Sequence, residues 1–286
     1  MTERKRISWK RLVTNAPALI GALLIFLAVM SALFAPALAP HDPSTAELRF
    51  RLDAPAWDET SKAHFLLGAD AVGRDVLSRI IYGARISLTI GLAATAISLV
   101  VGVVLGLLSG YFGGWLDHLI MRIADLQLSF PFILLALIVM VIFGRGLEKL
   151  VLVLGLTGWV SYARLVRSQV LTVRELDYVQ AARSLGAADA AIIWRHVLPN
   201  VASSVIVLST LQVATNILLE AGLTFLGLGI DPTIPSWGGM LADGRNYVTN
   251  AWWVATFPGV AIMLTVLGVN LLGDWLRDEL DPQLRV

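Results

Sequence analysis

The chain contains no cysteine, which excludes disulfides, thiolate metal sites and a cysteine nucleophile together. Histidine is nearly as scarce. His41, His64, His118 and His196 stand apart, and no pair has the close helical spacing of a metal site. A metal-dependent hydrolase therefore finds no ligand set, and no convergent nucleophile and base replaces it. Charge is sparse as well: 15% of residues are charged, against about a quarter in an average soluble protein. A net charge of +1 gives no dense basic surface of the kind nucleic-acid phosphates demand, so a nucleic-acid partner is set aside. The Gly-x-x-x-x-Gly-Lys-Ser/Thr pattern that cradles nucleotide phosphates is missing too, so the chain has no P-loop of its own.

What the sequence has in excess is apolar residues, 57% of the 286, with a mean hydropathy of +0.74. A helix needs about 20 mainly apolar residues to cross the hydrocarbon core, where each backbone polar group must be satisfied within the segment. Six stretches qualify, at residues 16–39, 86–108, 119–143, 147–165, 201–223 and 252–272. The fold class read from them is an all-α integral membrane protein with six transmembrane helices. Arg4, Lys5 and Arg6 before the first run, and Ala37-Leu38-Ala39 at its end, have the outline of a signal peptide. The run exceeds a usual signal core and Pro40 follows the would-be cut, so a retained first span is expected.

Basic residues flanking the spans set the orientation. Arg4, Lys5, Arg6, Lys10 and Arg11 precede the first span, and Arg164, Arg167, Arg174, Arg183 and Arg195 gather around the loop after the fourth. Both termini, 1–15 and 273–286, are thereby predicted to be cytoplasmic. The loop 40–85 is predicted to lie outside, although it carries Arg49, Arg51, Lys62, Arg74, Arg79 and Arg85. Its end, 75–85, reads as an amphipathic helix along the membrane surface. Gly110, Gly113 and Gly114 suit a tight turn after the second span, and Pro131 is predicted to kink the third.

The polar stretch 166–200 between the fourth and fifth spans is rich in alanine, leucine, isoleucine and arginine. Two short helices are predicted there, bent at Gly186 and stopped by Pro199. Taken alone, this is an alanine-rich amphipathic loop. Its Ala181-Ala182 pair, Gly186 and Leu198-Pro199, at their spacing, resemble the EAA loop of binding-protein-dependent ABC importer permeases. Gln180 stands where that pattern has glutamate, and His196 where it often has isoleucine; His196 itself reads as a capping or packing residue. The resemblance implies a coupling helix seated in a cleft of a cytoplasmic ATPase, with Gln180, Ala181, Ala182, Arg183, Gly186, Ala187, Asp189, Arg195, Leu198 and Pro199 forming the ATPase-coupling surface.

Further segments narrow the branch: Leu67-Gly68-Ala69-Asp70-Ala71-Val72-Gly73-Arg74-Asp75, Gly83-Ala84-Arg85-Ile86-Ser87-Leu88, Gly110-Tyr111-Phe112-Gly113-Gly114-Trp115, Glu220-Ala221-Gly222-Leu223-Thr224-Phe225-Leu226-Gly227, Pro235-Ser236-Trp237-Gly238 and Asn270-Leu271-Leu272-Gly273-Asp274-Trp275. They resemble the C-type subunit of the dipeptide, oligopeptide and nickel permeases. That resemblance implies a type I ABC importer-like transmembrane domain in the bacterial cytoplasmic (inner) membrane, moving short peptides or a related small solute by alternating access. It also implies partners: a B-type permease forming a heterodimer, two ABC ATPase subunits that use ATP and Mg, and an extracytoplasmic solute-binding protein. This chain would bind no cofactor and hydrolyse nothing itself. The alternative is an ATPase-independent secondary transporter or channel, which usually places ionisable groups near the bilayer midplane; these spans are almost devoid of them.

Glu220 is the acid inside a confident span and is a candidate for the pathway or for a structural role. Asp125, a turn or two into the third span, is a second. Pro232, Pro235, Trp237 and Gly238 read as a rigid external loop, a candidate docking surface for the solute-binding protein. Trp252 and Trp253 read as part of an interfacial aromatic belt.

Overall fold

The computed structural model describes residues 14–62 and 64–280. The basic N-terminal cluster, Arg4 to Arg11, and residues 281–286 of the tail lie outside the described residues. Nine helices of eight residues or more make up the described residues' main elements: α1 (Ala16–Leu33), α2 (Val76–Phe112), α3 (Gly114–Leu128), α4 (Phe132–Phe143), α5 (Leu147–Val173), α6 (Asp177–Ser184), α7 (Asp189–Phe225), α8 (Trp237–Gly244) and α9 (Trp253–Leu280). Five of them are long and apolar enough to cross a membrane, and the bent pair α3 and α4 passes the same test together, which makes six if the pair counts as one span.

Helix starts follow local chemistry. The Asn15 side chain accepts from Ala18 N at 3.1 Å to cap α1, and the Asp75 carboxylate caps α2 by accepting from Leu77 N and Ser78 N. The helix predicted for 75–85 is present, but it is not a separate surface element. It forms the first turns of α2, whose 37 residues run unbroken from Val76 to Phe112. At about 1.5 Å per residue such a helix is far longer than a hydrocarbon core of about 30 Å, so part of it projects beyond the apolar zone.

The third predicted span differs from a kinked helix. α3 ends at Leu128 and α4 starts at Phe132, with the two axes at 87°. Pro131 holds no N–H to continue the ladder and drives the residue before it out of the helical region, so it opens a new helix instead of bending an old one. Pro199 is also corrected: it does not stop the loop helix. α7 runs through it from Asp189 to Phe225, with a π-helical turn at Ile193–Val197 just upstream. The Leu198 N–H accordingly reaches back to Ile193 O. The wider turn gives the proline ring room where the normal register would clash with a preceding carbonyl.

α2 and α5 run parallel and form the spine. Gly102, Gly106 and Gly110 of α2 face Tyr162, Ala163, Val166 and Val170 of α5, so closely that a β-carbon built on any of the three would come within 2.4 to 2.7 Å of α5 atoms. Small residues at such a seam let two backbones approach and gain packing that lipid cannot offer. α7 returns antiparallel along this pair, tied by Asn216 Nδ2 donating to Thr95 Oγ1 at 3.0 Å and Tyr162 Oη donating to Ser209 Oγ at 3.1 Å. α1 covers α9, where Gly21 and Gly268 meet.

Segment 41–75 and α8 form a cap over one end. Its small core contains Ala54, Val76, Met240, Ala251, Trp253 and Val254. Trp253 is 5% exposed and its Nε1 donates to Ala69 O at 3.1 Å, so it belongs to the cap core and not to a lipid-facing belt; Trp252 beside it remains exposed. Beneath the cap Arg79 is buried against Asp70 and Asp243, with Arg74 bridging the same two carboxylates. Burial pushes the Asp243 carboxyl above its ordinary range, against the pull of Arg74 and Arg79.

Candidate functional site

At the opposite end from the cap, α6 and the start of α7 form a folded loop. α6 closes in a Schellman motif: Ala187 N donates to Ala182 O at 3.1 Å and Gly186 N to Arg183 O at 3.0 Å. Gly186 takes φ +78°, the left-handed conformation this cap requires and glycine adopts freely. The bend predicted at Gly186 is therefore present. A β-carbon there would meet nothing within 4 Å, so the glycine is demanded by the backbone and not by crowding.

The inner face of the loop is fastened down. Val179 is 3% exposed and packs with Tyr111, Val170, Ile192, Val197 and Val201. Tyr111 Oη donates to Asp189 Oδ1 at 2.6 Å, and the Arg183 guanidinium lies over the Tyr111 ring at 5.6 Å. Arg174 Nη1 donates to Gly110 O at 2.8 Å and Gln180 Nε2 to Arg174 O at 2.9 Å. Asn200 Nδ2 donates to Tyr178 Oη at 3.0 Å, and the Tyr178 and His196 rings lie 6.0 Å apart, a packing place for the histidine. One further clamp joins α2, α3 and α5 nearby: Arg167 donates to both oxygens of Asp117, and Ser109 Oγ donates to the same carboxylate.

The outer face is open. Leu185 is 88% exposed and Trp194 70%, large apolar side chains on a polar loop. The coupling residues named from sequence divide accordingly. Ala181, Arg183, Gly186, Ala187, Asp189, Arg195 and Pro199 are exposed; Gln180, Ala182 and Leu198 are half-buried. Gln180 and Asp189 spend their side chains on internal bonds. Sequence reading missed Tyr111 and Arg174 as fasteners and Leu185 and Trp194 as the exposed apolar pair; Trp194, a large ring in a charged stretch, was the available signal.

The other candidates fall elsewhere. Glu220 is fully buried and enclosed by α2, α7 and α8, accepting from Ser87 Oγ at 3.1 Å and Thr224 Oγ1 at 3.0 Å. The carboxylate has no exposed face in this arrangement of the helices. Asp125 pairs with Arg164 at 2.6 Å, both about half exposed. The docking role read for Trp237 and Gly238 is corrected. Trp237 is 2% exposed with Nε1 donating to Ile80 O at 3.0 Å, and a β-carbon on Gly238 would lie 2.6 Å from Ala221 Cα. Both pack α8 inward, and Pro235 beside them is half-buried. What this loop presents is Asp231, Pro232, Thr233 and Ile234. Among the described residues no cluster of side chains suits a metal ion.

Residues 102–286, which include the whole fastened loop, match the family of the binding-protein-dependent transport system inner membrane component. The chain belongs to that family. Residues 5–55 match the N-terminal transmembrane domain of oligopeptide transport permease C, which places it with the C-type permeases of the dipeptide and oligopeptide branch. It is 46% identical over 277 residues to a di/tripeptide transport system permease, DppC, of Pseudomonas aeruginosa, covering 97% of this chain and 91% of the relative. It is 43% identical to a glutathione transport system permease, GsiD, of Pectobacterium atrosepticum (97% and 90% covered) and 40% identical to an oligopeptide transport system permease, OppC, of Bacillus subtilis (97% and 90%). The membrane domain of the inward-facing MetNI methionine ABC transporter shares the fold, with a TM-score of 0.60 at 20% identity over 72% of this chain and 97% of that one. The chain is thus a multi-pass ABC permease with a type I importer transmembrane fold.

Proposed function

We propose that this permease forms one half of the pore of an ATP-driven importer of short peptides, in the bacterial inner membrane with both termini cytoplasmic. The names of the relatives, which carry di/tripeptides, oligopeptides or glutathione, support the substrate class. A B-type permease completes the pore, a solute-binding protein docks at the cap end, and two ATPase subunits that use ATP and Mg bind at the loop end. The observation that carries the reading is the loop 177–200: bonded rigidly to α2 and α5 on its inner face, apolar and open on its outer face. ATPase closure pushes on Leu185 and Trp194, and the bonds joining Asp189 to Tyr111 and Gln180 to Arg174, which in turn holds Gly110, transmit that push to the α2–α5 spine. The pore then alternates between two packed arrangements.

The test is ATP-driven uptake of labelled dipeptide by the assembled complex. Gly186→Val forces a β-branched residue into a left-handed conformation that costs roughly 1–2 kcal/mol for an ordinary residue, and it is expected to lower uptake and ATPase assembly together. Gly186→Asn, which tolerates that conformation, retains most of both. Uptake by the chain alone without any ATPase contradicts the proposal, as does full activity of Gly186→Val.

A further inference from the structure

α7 and α9 touch where Gly273 meets Thr210; a β-carbon on Gly273 would lie 2.4 Å from Thr210 Oγ1. Next to that contact, at the loop end, the two helices and α5 border an open cavity of about 510 Å³, within the range of about 300–1,000 Å³ usual for small-ligand sites. Leu208 and Leu211 supply apolar wall, and Ser203, Ser204, Asp274 and Arg277 supply the polar groups. Ser204 is held in place, its Oγ accepting from Gln169 Nε2 at 2.6 Å. Ser203, Asp274 and Arg277 make no hydrogen bond or ion pair among the described residues. Asp274 and Arg277 stand one turn apart on α9, a spacing at which opposite charges commonly pair, yet both are exposed and unpaired at the rim of the cavity.

An unspent carboxylate and an unspent guanidinium, set about 4.5 Å apart along a helix axis above leucines and hydroxyls, fit one kind of ligand. It carries an ammonium at one end, a carboxylate or phosphate at the other and a short apolar body between. We propose that this cavity is a binding site for a free zwitterionic peptide of dipeptide size, its ammonium on Asp274 and its carboxylate on Arg277, occupied as the peptide leaves the pore. The peptide assignment rests on the importer reading above. A zwitterionic lipid headgroup has the same charge pattern, so the experiment must separate the two.

The assembled importer in phosphatidylglycerol nanodiscs, without its solute-binding protein, is titrated with radiolabelled dialanine. Saturable binding is expected, weakened about tenfold by Asp274→Asn and again by Arg277→Gln, since each removes one charge-assisted bond. N-acetyl-dialanine lacks the ammonium, so it is expected to bind wild type and Asp274→Asn with equal, weak affinity; this comparison holds even if a variant is less stable. Unchanged dialanine affinity in both variants overturns the proposal, as does absence of saturable binding. If phosphatidylethanolamine is retained by the wild type and lost from Arg277→Gln while dialanine does not bind, the site belongs to lipid and the peptide assignment falls. Dipeptide uptake that continues without any such binding removes this site alone, whereas variant-sensitive binding without uptake removes the import reading alone.

Discussion

Where the EAA pattern carries glutamate, this chain has Gln180, and its amide donates to Arg174 O at 2.9 Å. An ionised carboxylate only accepts, so glutamate could not make that bond. The loop here is held by the Gln180 amide, by the Arg174 guanidinium beside it and by Tyr111, whose hydroxyl reaches Asp189 across 78 residues of chain. Hydrogen bonds to charged groups contribute about 1.5–3 kcal/mol, and the exposure of Asp189 puts this one at or below the lower end. Tyr111→Phe keeps the ring under Arg183 and removes only the hydroxyl. It is expected to raise amide hydrogen exchange over residues 177–189 by up to roughly tenfold while leaving the melting temperature nearly unchanged. Exchange identical to wild type would show that Asp189 does not hold the loop. None of this was readable from the sequence: Tyr111 lay in a segment read as a turn, and its partner becomes visible only when α2 and α7 are side by side.

Among the elements, the α2–α5 pair sets how the others pack. At Gly106 an added β-carbon would lie 2.7 Å from Ala163 O and 2.8 Å from Val166 Cβ, positions where the neighbours are backbone and a stiff β-branched side chain. Overpacking of this kind costs about 1–3 kcal/mol, so Gly106→Leu is expected to lower the melting temperature and the yield of folded chain. Gly222→Ala, where a β-carbon meets nothing within 4 Å, is the matched control and is expected to be neutral or slightly stabilising; equal behaviour of the two would contradict the close-packed spine. The long apolar runs announced α1, α2, α5, α7 and α9 because hydropathy is a local property. The 87° break between α3 and α4, the passage of α7 through Pro199 and the inward turn of Trp237 were not legible in the same way. Each depends on what packs beside it: the π-turn at Ile193–Val197 accommodates Pro199, and Ile80 O offers Trp237 a buried acceptor.

Viewed whole, the molecule has two dissimilar ends joined by long helices. At one, the cap is locked by the Arg74, Arg79, Asp70 and Asp243 network and by Trp253. At the other, a loop rigid on its inner face turns Leu185 and Trp194 outward. The family and the loop's spacing could be recognised from sequence, whereas the division of that loop into fasteners and contact residues required the structure. Because the chain has no cysteine, Leu185→Cys introduces a single thiol at a position already 88% exposed, where the exchange disturbs little packing. Labelling of that thiol with a membrane-impermeant maleimide, in vesicles of each orientation and with or without the assembled ATPases, tests whether the loop faces the cytoplasm and is gripped by the ATPases. Labelling is expected only from the cytoplasmic side, and is expected to be suppressed once the ATPases are bound. Labelling from the outer side, or labelling indifferent to the ATPases, would contradict the proposed coupling role.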